Sequence, residues 1–118
     1  AFALLDEIEA DAEAAKAAMP DLAEPVWQAA ETLRETTEWL VTQDMNDRFA
    51  GAVPYLRAFA RVLGGHYHLT AALQGDGTRK RLATFYIKRI LPEHAGLLTH
   101  VREGGDDLMA ITLDDLVA

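Results

Sequence analysis

The segment from residue 46 to residue 74 carries two apolar stripes, and it constrains the fold more than any other part of the chain. The first stripe consists of Tyr55, Phe59, Val62, His66, Leu69 and Leu73. The second consists of Val53, Leu56, Ala60, Leu63 and Tyr67. Steps of three and four residues are those of an α-helix, in which such residues share a face. Two stripes predict a helix that is buried on more than one side.

Three further segments show the same helical period, and alternating clusters of β-branched residues are missing. We predict helices over residues 2–18, from Pro25 to about residue 43, and from Arg79 to about Glu103. Pro20 ends the first of them, because proline disfavours helical geometry in the residue before it. Four helices joined by short loops indicate an all-α, antiparallel up-down four-helix bundle.

The last of these helices is marked by breaking residues at both ends and in its middle. The turn at Gly75–Thr78 precedes it, with Thr78 as the predicted N-cap. Pro92 lies in its middle and predicts a kink. Gly104–Gly105 end it, and a short C-terminal tail is expected to fold back or to pack elsewhere.

The length of 118 residues, half of them hydrophobic, is that of one domain with a core of its own. The apolar runs are only a few residues long, so no membrane span is predicted. The chain begins with Ala1 rather than Met, and Phe2 already belongs to a helix face. We therefore expect residues 1–118 to be a single helical domain, a fragment of a longer protein.

Charge is distributed unevenly along the chain. The net charge is −8, which argues against nucleic acid as a partner. Residues 1–50 contain 12 acidic and 3 basic side chains, residues 51–102 contain 8 basic and 2 acidic ones, and residues 103–118 add 5 acidic ones. The acidic parts can pair with the basic middle within one bundle, or the basic face can be kept for the phosphate groups of a ligand or partner.

A run of three cations, Arg79-Lys80-Arg81, opens the last predicted helix. Cations at a helix N-terminus oppose the helix dipole, and such a terminus can bind an anion. The alternative, which we favour, is that the three pair with the first helix or with the acids of the tail. Those acids are Asp106, Asp107, Asp114 and Asp115.

No site residue is assigned from motifs. His66 and His68 point roughly 200° apart on a helix, and His94 and His100 also diverge, so we expect no shared metal. We expect instead a partly buried, hydrogen-bonded His66 and a solvated His68. Cysteine is absent, which excludes disulfides and Cys-ligated zinc.

Catalytic signatures are missing as well. The sequence has no phosphate loop, nucleophile elbow or dinucleotide fingerprint. Glu38 and Glu93 have no obvious partner base, and Trp27 and Trp39 are expected in the core or at an interface. We therefore assign no catalytic, cofactor-binding or metal-binding residue.

Several short stretches, taken in order, resemble one protein family. They are Thr37–Leu40 (TEWL), residues 51–59 (GAVPYLRAF) with Gly64-Gly65, residues 82–86 (LATFY), residues 90–92 (ILP), and residues 104–110 (GGDDLMA). They resemble the C-terminal domain appended to a subgroup of acyl-CoA dehydrogenases that includes the methylmercaptopropionyl-CoA dehydrogenases. The likeness covers nearly the whole chain and is weakest over residues 1–25.

The resemblance implies a parent enzyme of fatty acid metabolism, expected in the cytoplasm, that oxidises an acyl-CoA at its α,β carbons. A carboxylate base would take the α proton and FAD the hydride, both in domains that precede this one. This segment would then pack on the catalytic body, buttress a subunit interface in a homo-oligomer, or limit access to the acyl-CoA substrate. No cofactor is expected in the segment itself.

A basic face could, on this view, meet an acidic surface or CoA phosphates. Its members are Arg57, Arg61, Arg79, Lys80, Arg81, Lys88 and Arg89. Two other functions stay open. The chain can be a free-standing helical binding or regulatory module, or, against the divergence of its histidines, an independent metal- or haem-binding bundle.

Overall fold

The computed structural model describes residues 2–103 and Asp115, except for the side chains of Asn46, Asp47 and Phe49. Residues 2–103 form helices joined by short turns, and no strand occurs among them. The helices are α1 (Phe2–Ala15), α2 (Pro20–Leu40), α3 (Met45–Gln74), α4 (Gly77–Arg89) and α5 (Glu93–Glu103). The predicted all-α bundle is confirmed, with α4 and α5 together in the place of its fourth helix. The predicted tail and its acids, Asp115 apart, lie outside the described residues.

Consecutive helices of the bundle run antiparallel, if α4 and α5 are counted together as one interrupted helix. On α3 and its partners, Gly51 lies against Val101, Arg61 bonds Glu93, and Gly64 lies against Tyr86. Positions that rise along α3 thus meet positions that fall along α4 and α5. The two short helices therefore line α3 one after the other, as a single interrupted arm.

The boundaries of the first two helices differ from the prediction. Helix α1 ends at Ala15, three residues before the predicted end, and α2 begins at Pro20 rather than near Pro25. Proline suits the first helical position, because the N–H that it lacks would have no partner there. Pro25 lies inside α2. Pro20 was predicted only as the end of the first helix, and it is instead the residue that begins the second.

The cap of α4 is also different from the predicted one. The carboxylate of Asp76 accepts hydrogen bonds from the backbone N–H groups of Thr78 and Arg79, at 3.0 and 3.3 Å. Thr78 is therefore inside the helix, and Asp76 is its N-cap. Aspartate is among the best N-cap residues because its side chain satisfies the free N–H groups of the first turn.

The predicted kink at Pro92 is a full break. The N–H of Leu91 bonds the carbonyl of Tyr86 at 2.9 Å, one residue further back than in an α-helix, and that of Glu93 bonds Ile90 at 3.1 Å. Pro92 has no N–H to continue the helical ladder, and its ring clashes with the preceding turn. The arm therefore ends at Arg89 and resumes at Glu93.

The core lies between the facing sides of the helices. Its largest fully buried side chains are Leu5, Ile8, Val26, Leu33, Val62, Leu69, Ile87, Leu91, Leu98 and Val101. Tyr55, Phe59, Trp27 and Trp39 are partly buried and pack against them. The first apolar stripe of α3 thus faces the core, as predicted, except at Leu73, which is exposed.

The second stripe of α3 does not. Val53, Leu56, Leu63 and Tyr67 are all exposed, so the prediction that this stripe is buried is wrong for the described residues. The bundle explains why, since its principal extents are 57 × 29 × 15 Å. In so flat an array α3 contacts all four other helices and still keeps one side bare.

Candidate interaction surface

The bare side of α3 is an apolar stripe parallel to the helix axis. Leu56 is 65% exposed and Tyr67 is 68% exposed. Leu63 lies between them on the same side of the helix, and Val53 precedes Leu56 by about one helical turn. From residue 53 to residue 67 an α-helix rises about 21 Å. Over this length, large apolar side chains of the described residues are exposed to water.

Helix α4 extends the stripe sideways. Its buried residues are Ala83 and Ile87, so Leu82 and Phe85 point away from the core, with 54% and 57% of their surface exposed. Leu82 lines a shallow groove together with Tyr67, so the exposed side chains of the two helices are neighbours. We call this surface the α3–α4 face. It consists of Val53, Leu56, Ala60, Leu63, Tyr67, Leu82 and Phe85.

Arginines border the α3–α4 face. Arg57 follows Val53 by one helical turn, and Arg81 and Arg89 flank Phe85 at the same spacing on α4. Arg79 lines the groove between Tyr67 and Leu82. Each of these four arginines is exposed.

Acidic residues are almost missing from this half of the molecule. Between Asp47 and Glu93 the sequence contains one acidic residue, Asp76. Its carboxylate caps α4 and is already hydrogen-bonded. The α3–α4 face is therefore apolar with a positive border.

Helices α1 and α2 have the opposite character. Arg34 holds Asp6 and Glu9 at 2.5 and 3.0 Å, and Lys16 holds Glu13 and Glu24 at 3.0 and 3.2 Å. Many acids of this half are thus paired within it. Its outer surface is polar, and Phe2 is the one large exposed apolar side chain of the two described helices.

The Arg79-Lys80-Arg81 run does not form one site. Arg79 lines the groove beside Tyr67, Lys80 lines a different one beside Met19 and Pro20, and Arg81 donates to the hydroxyl of Thr78 at 3.1 Å. The N–H groups of Thr78 and Arg79 are bonded to the carboxylate of Asp76. A negative group thus already occupies the helix terminus, which disfavours the anion site considered from the sequence.

Pairing of this run with the first helix is not seen among the ion pairs of residues 2–103. Four acids of α1 contact other partners instead, namely Lys16, Arg34 and His66. Three of the alternative partners, Asp106, Asp107 and Asp114, lie outside the described residues.

The four histidines are dispersed over the fold. Nε2 of His66 lies 2.8 Å from a carboxylate oxygen of Asp11, which confirms a partly buried, hydrogen-bonded side chain. His68 is not the solvated side chain that the sequence predicts, since it is half-buried and stacks on Tyr86 at 4.7 Å. Nδ1 of His94 contacts the carbonyl of Leu91.

His100 lies near Glu103 at the surface, with its Nδ1 3.4 Å from a carboxylate oxygen. Among the described residues, no group of three or more His, Asp or Glu side chains is placed to hold a metal ion. The remaining candidates also have structural surroundings. Glu93 pairs with Arg61 at 2.9 Å, and Trp39 lies under the guanidinium of Arg102 at 5.4 Å.

Sequence reasoning did not identify the α3–α4 face as a surface, because apolar periodicity alone cannot tell a buried stripe from a bare one. A usable signal was nonetheless present. The second stripe of α3, and Leu82 with Phe85 on α4, are interleaved with arginines that would be costly to bury.

Comparison with known proteins gives one match. The model of the family described as acetyl-CoA dehydrogenase C-terminal like matches residues 4–112. Searches of curated proteins and of solved structures found no match. In the described part of the chain no helix is both long and apolar enough to cross a bilayer. Since the family model spans almost the whole chain, the protein belongs to the acetyl-CoA dehydrogenase C-terminal-like family, the accessory C-terminal domains of acyl-CoA dehydrogenases.

Proposed function

We propose that this chain is the non-catalytic C-terminal domain of an FAD-dependent acyl-CoA dehydrogenase, and that it packs on the catalytic body or at a subunit interface of that enzyme. The observation that carries the proposal is the family match over residues 4–112. The bare apolar side of α3 supports it, because large exposed apolar patches mark interaction sites.

The parent enzyme would oxidise an acyl-CoA thioester at the α,β carbons, in fatty acid metabolism and in the cytoplasm. FAD would accept the hydride there. The short motifs of the sequence favour the subgroup that includes the methylmercaptopropionyl-CoA dehydrogenases. The residues that bind FAD and remove the α proton would belong to preceding domains, and no residue of this chain is assigned to either task.

The role of this chain would then be structural rather than catalytic. A domain whose core is complete, as the buried centre of the five helices is here, can keep its shape while one outer face binds the rest of the protein. Its removal should weaken the assembly of the enzyme and leave the chemistry of each intact active site unchanged.

The first test is the reading frame upstream of the Ala1 codon in the source DNA. A frame that continues through a flavoenzyme-like coding region supports the proposal. A start codon directly before Ala1 would overturn it, and the chain would then be a free-standing helical binding module.

The second test removes residues 1–118 from the full-length enzyme. We expect a changed oligomeric state or a lower thermal stability, with bound FAD retained. If assembly, stability and the kinetic constants for acyl-CoA are all unchanged, the proposed role is wrong.

A further inference from the structure

We infer that the α3–α4 face is the surface that docks, and that the catalytic body meets it with an apolar patch bordered by carboxylates. The inference rests on the proposed function and adds to it which side of this domain is covered and what chemistry covers it. The opposite side, formed by α1 and α2, would then face water.

The first argument is the contrast in apolar exposure between the two sides. On α3 and α4, six large apolar side chains of the face are exposed, and Tyr67 of α3 and Leu82 of α4 line one groove. The six are Val53, Leu56, Leu63, Tyr67, Leu82 and Phe85. On α1 and α2 the exposed apolar side chain is Phe2, and the guanidinium of Arg34 lies over its ring at 6.0 Å. Removal from water would therefore favour burial of the α3–α4 face much more than burial of the side formed by α1 and α2.

The second argument is that the exposed side chains do little for the fold of this domain. The helix contacts that hold α3 are made by its other side, through residues such as Ala58, Val62 and Leu69, which are fully buried. Leu56 and Tyr67 could be polar without loss to that core. Their apolar character is therefore explained by something outside the five helices.

The third argument is charge, and it defines the partner. Arg57, Arg79, Arg81 and Arg89 border the apolar surface, and within residues 48–92 the one acid, Asp76, is engaged as a helix cap. An interface with an apolar centre and a charged border favours a partner whose border carries the opposite charge, because like charges that face each other are costly. A second copy of the same face would bring arginines against arginines, so the partner is a surface with carboxylates at its edge.

Side-chain footprinting with hydroxyl radicals tests the inference directly. The labelling of Leu56, Tyr67 and Phe85 would be compared between the full-length enzyme and the 118-residue chain. We expect severalfold lower labelling of all three in the full-length enzyme, and unchanged labelling of Phe2. Protection of Phe2 with no protection of the α3–α4 face would overturn the inference and leave the proposed function standing. No protection on either side would overturn both.

A matched pair of substitutions in the full-length enzyme gives a second reading. Leu63 and Leu73 are on the same helix and are 40% and 42% exposed, but Leu73 belongs to the other stripe. Leu63→Asp should raise the labelling of Tyr67 and Phe85 to the level of the isolated chain, and Leu73→Asp should not. Equal effects of the two substitutions, at equal helix content, would contradict a docking role for this face.

The border charges are tested by salt. Reversal of Arg81 and Arg89 to Glu should loosen the docked state, and higher salt should reduce the difference from the native protein because it screens exposed charges. Reversal of two exposed acids of the other side, Glu7 and Glu38 to Arg, is the charge-matched control and should leave the footprint unchanged. A footprint that responds to the control pair instead would show that the partner binds α1 and α2.

Discussion

Gly64 on α3 lies directly against the side chain of Tyr86 on α4. A Cβ atom built on Gly64 would be 2.1 Å from the Tyr86 hydroxyl oxygen and 2.6 Å from the ring carbon that carries it. The same hydroxyl donates a hydrogen bond to the carbonyl of Arg61 at 3.0 Å. A glycine here thus lets an aromatic ring cross the helix and bond its backbone. The contact joins the two helices that carry the α3–α4 face.

We therefore expect Gly64→Ala to destabilise the domain. The rigid ring of Tyr86 would have to move and would lose its bond to Arg61. Overpacking of this kind costs about 1–3 kcal/mol, against about 1 kcal/mol that alanine gains over glycine in a helix. Urea unfolding followed by circular dichroism should show a lower midpoint.

Gly96 supplies the matched control for this substitution. It lies within α5, and a Cβ built on it would meet nothing within 4 Å. Gly96→Ala should raise the free energy of unfolding by up to about 1 kcal/mol. The close contact is not the cause if Gly64→Ala costs as much in a Tyr86→Leu background as in the native chain.

A second prediction concerns the hydroxyl of Thr37, which is buried between α2 and α3. It donates to the carbonyl of Leu33 at 2.7 Å and lies 2.8 Å from the hydroxyl of Tyr55. Since its one proton goes to Leu33, Tyr55 is the donor in the second bond. Thr37→Val should cost about 1–2 kcal/mol, because Tyr55 is left without its acceptor.

The cost should fall in a Tyr55→Phe background, where no donor is left unpaired. Thr99 is the control, since its hydroxyl makes the same kind of bond, to the carbonyl of Ala95, at an exposed position. Thr99→Val should be nearly neutral. If Thr37→Val costs the same with Tyr55 or Phe at position 55, the two hydroxyls are not coupled.

Much of the fold follows from the periodicity of the sequence, and the differences have identifiable causes. The bounds of α3 could be predicted to within a residue, because both ends are marked by breaks in a long apolar pattern. Pro92 predicted a disturbance of the last helix, but whether the helix is kinked or fully broken depends on where Leu91 packs. Leu91 is buried against Gly65, and its N–H reaches back to Tyr86.

The α3–α4 face could not be predicted from apolar periodicity alone, for a related reason. Both stripes of α3 are apolar, and their period does not say which one the other helices cover. That depends on the flat arrangement of the bundle, which is a property of all the helices together. The uneven distribution of charge can be seen in the sequence. Whether these charges pair within the bundle or border a docking surface cannot be predicted from it.

A third prediction separates a half-buried ion pair from an exposed one. The side chains of Arg34 and Glu9 are 19% and 20% exposed, and Arg34 also holds Asp6, so α1 is tied to α2 by a fork of two bonds. Lysine cannot reproduce this fork. Arg34→Lys should lower the free energy of unfolding by about 1 kcal/mol.

The comparison is Arg61→Lys. The pair of Arg61 with Glu93 has a single bond between more exposed side chains, and exposed pairs contribute little. Its replacement should change the free energy of unfolding by less than about 0.5 kcal/mol. Equal losses for the two variants would mean that neither burial nor the fork matters.

The last prediction concerns pH and Glu31 on α2. The pKa of the Glu31 carboxyl is raised above its ordinary value, mainly by a hydrogen bond with Glu9 and to a smaller extent by partial burial. The protonated form is thus favoured by the fold. Its contribution to stability is fully present below the unfolded-state pKa, which is about 4.3, and is lost as pH rises through the folded-state pKa.

Glu31→Gln should therefore stabilise the domain at neutral pH, by less than about 0.5 kcal/mol since water screens the pair. The gain should vanish in acid, where Glu31 is itself protonated. Glu24 is the control of opposite sign, because bonds from Gln28 and Lys16 lower the pKa of its carboxyl. Glu24→Gln should weaken the fold at neutral pH, and the difference should shrink as the pH falls. The urea midpoints of both variants and of the native protein should be measured from pH 3 to pH 8. A stabilisation by Glu31→Gln that is the same at pH 3 and at pH 8 would contradict the raised pKa of Glu31.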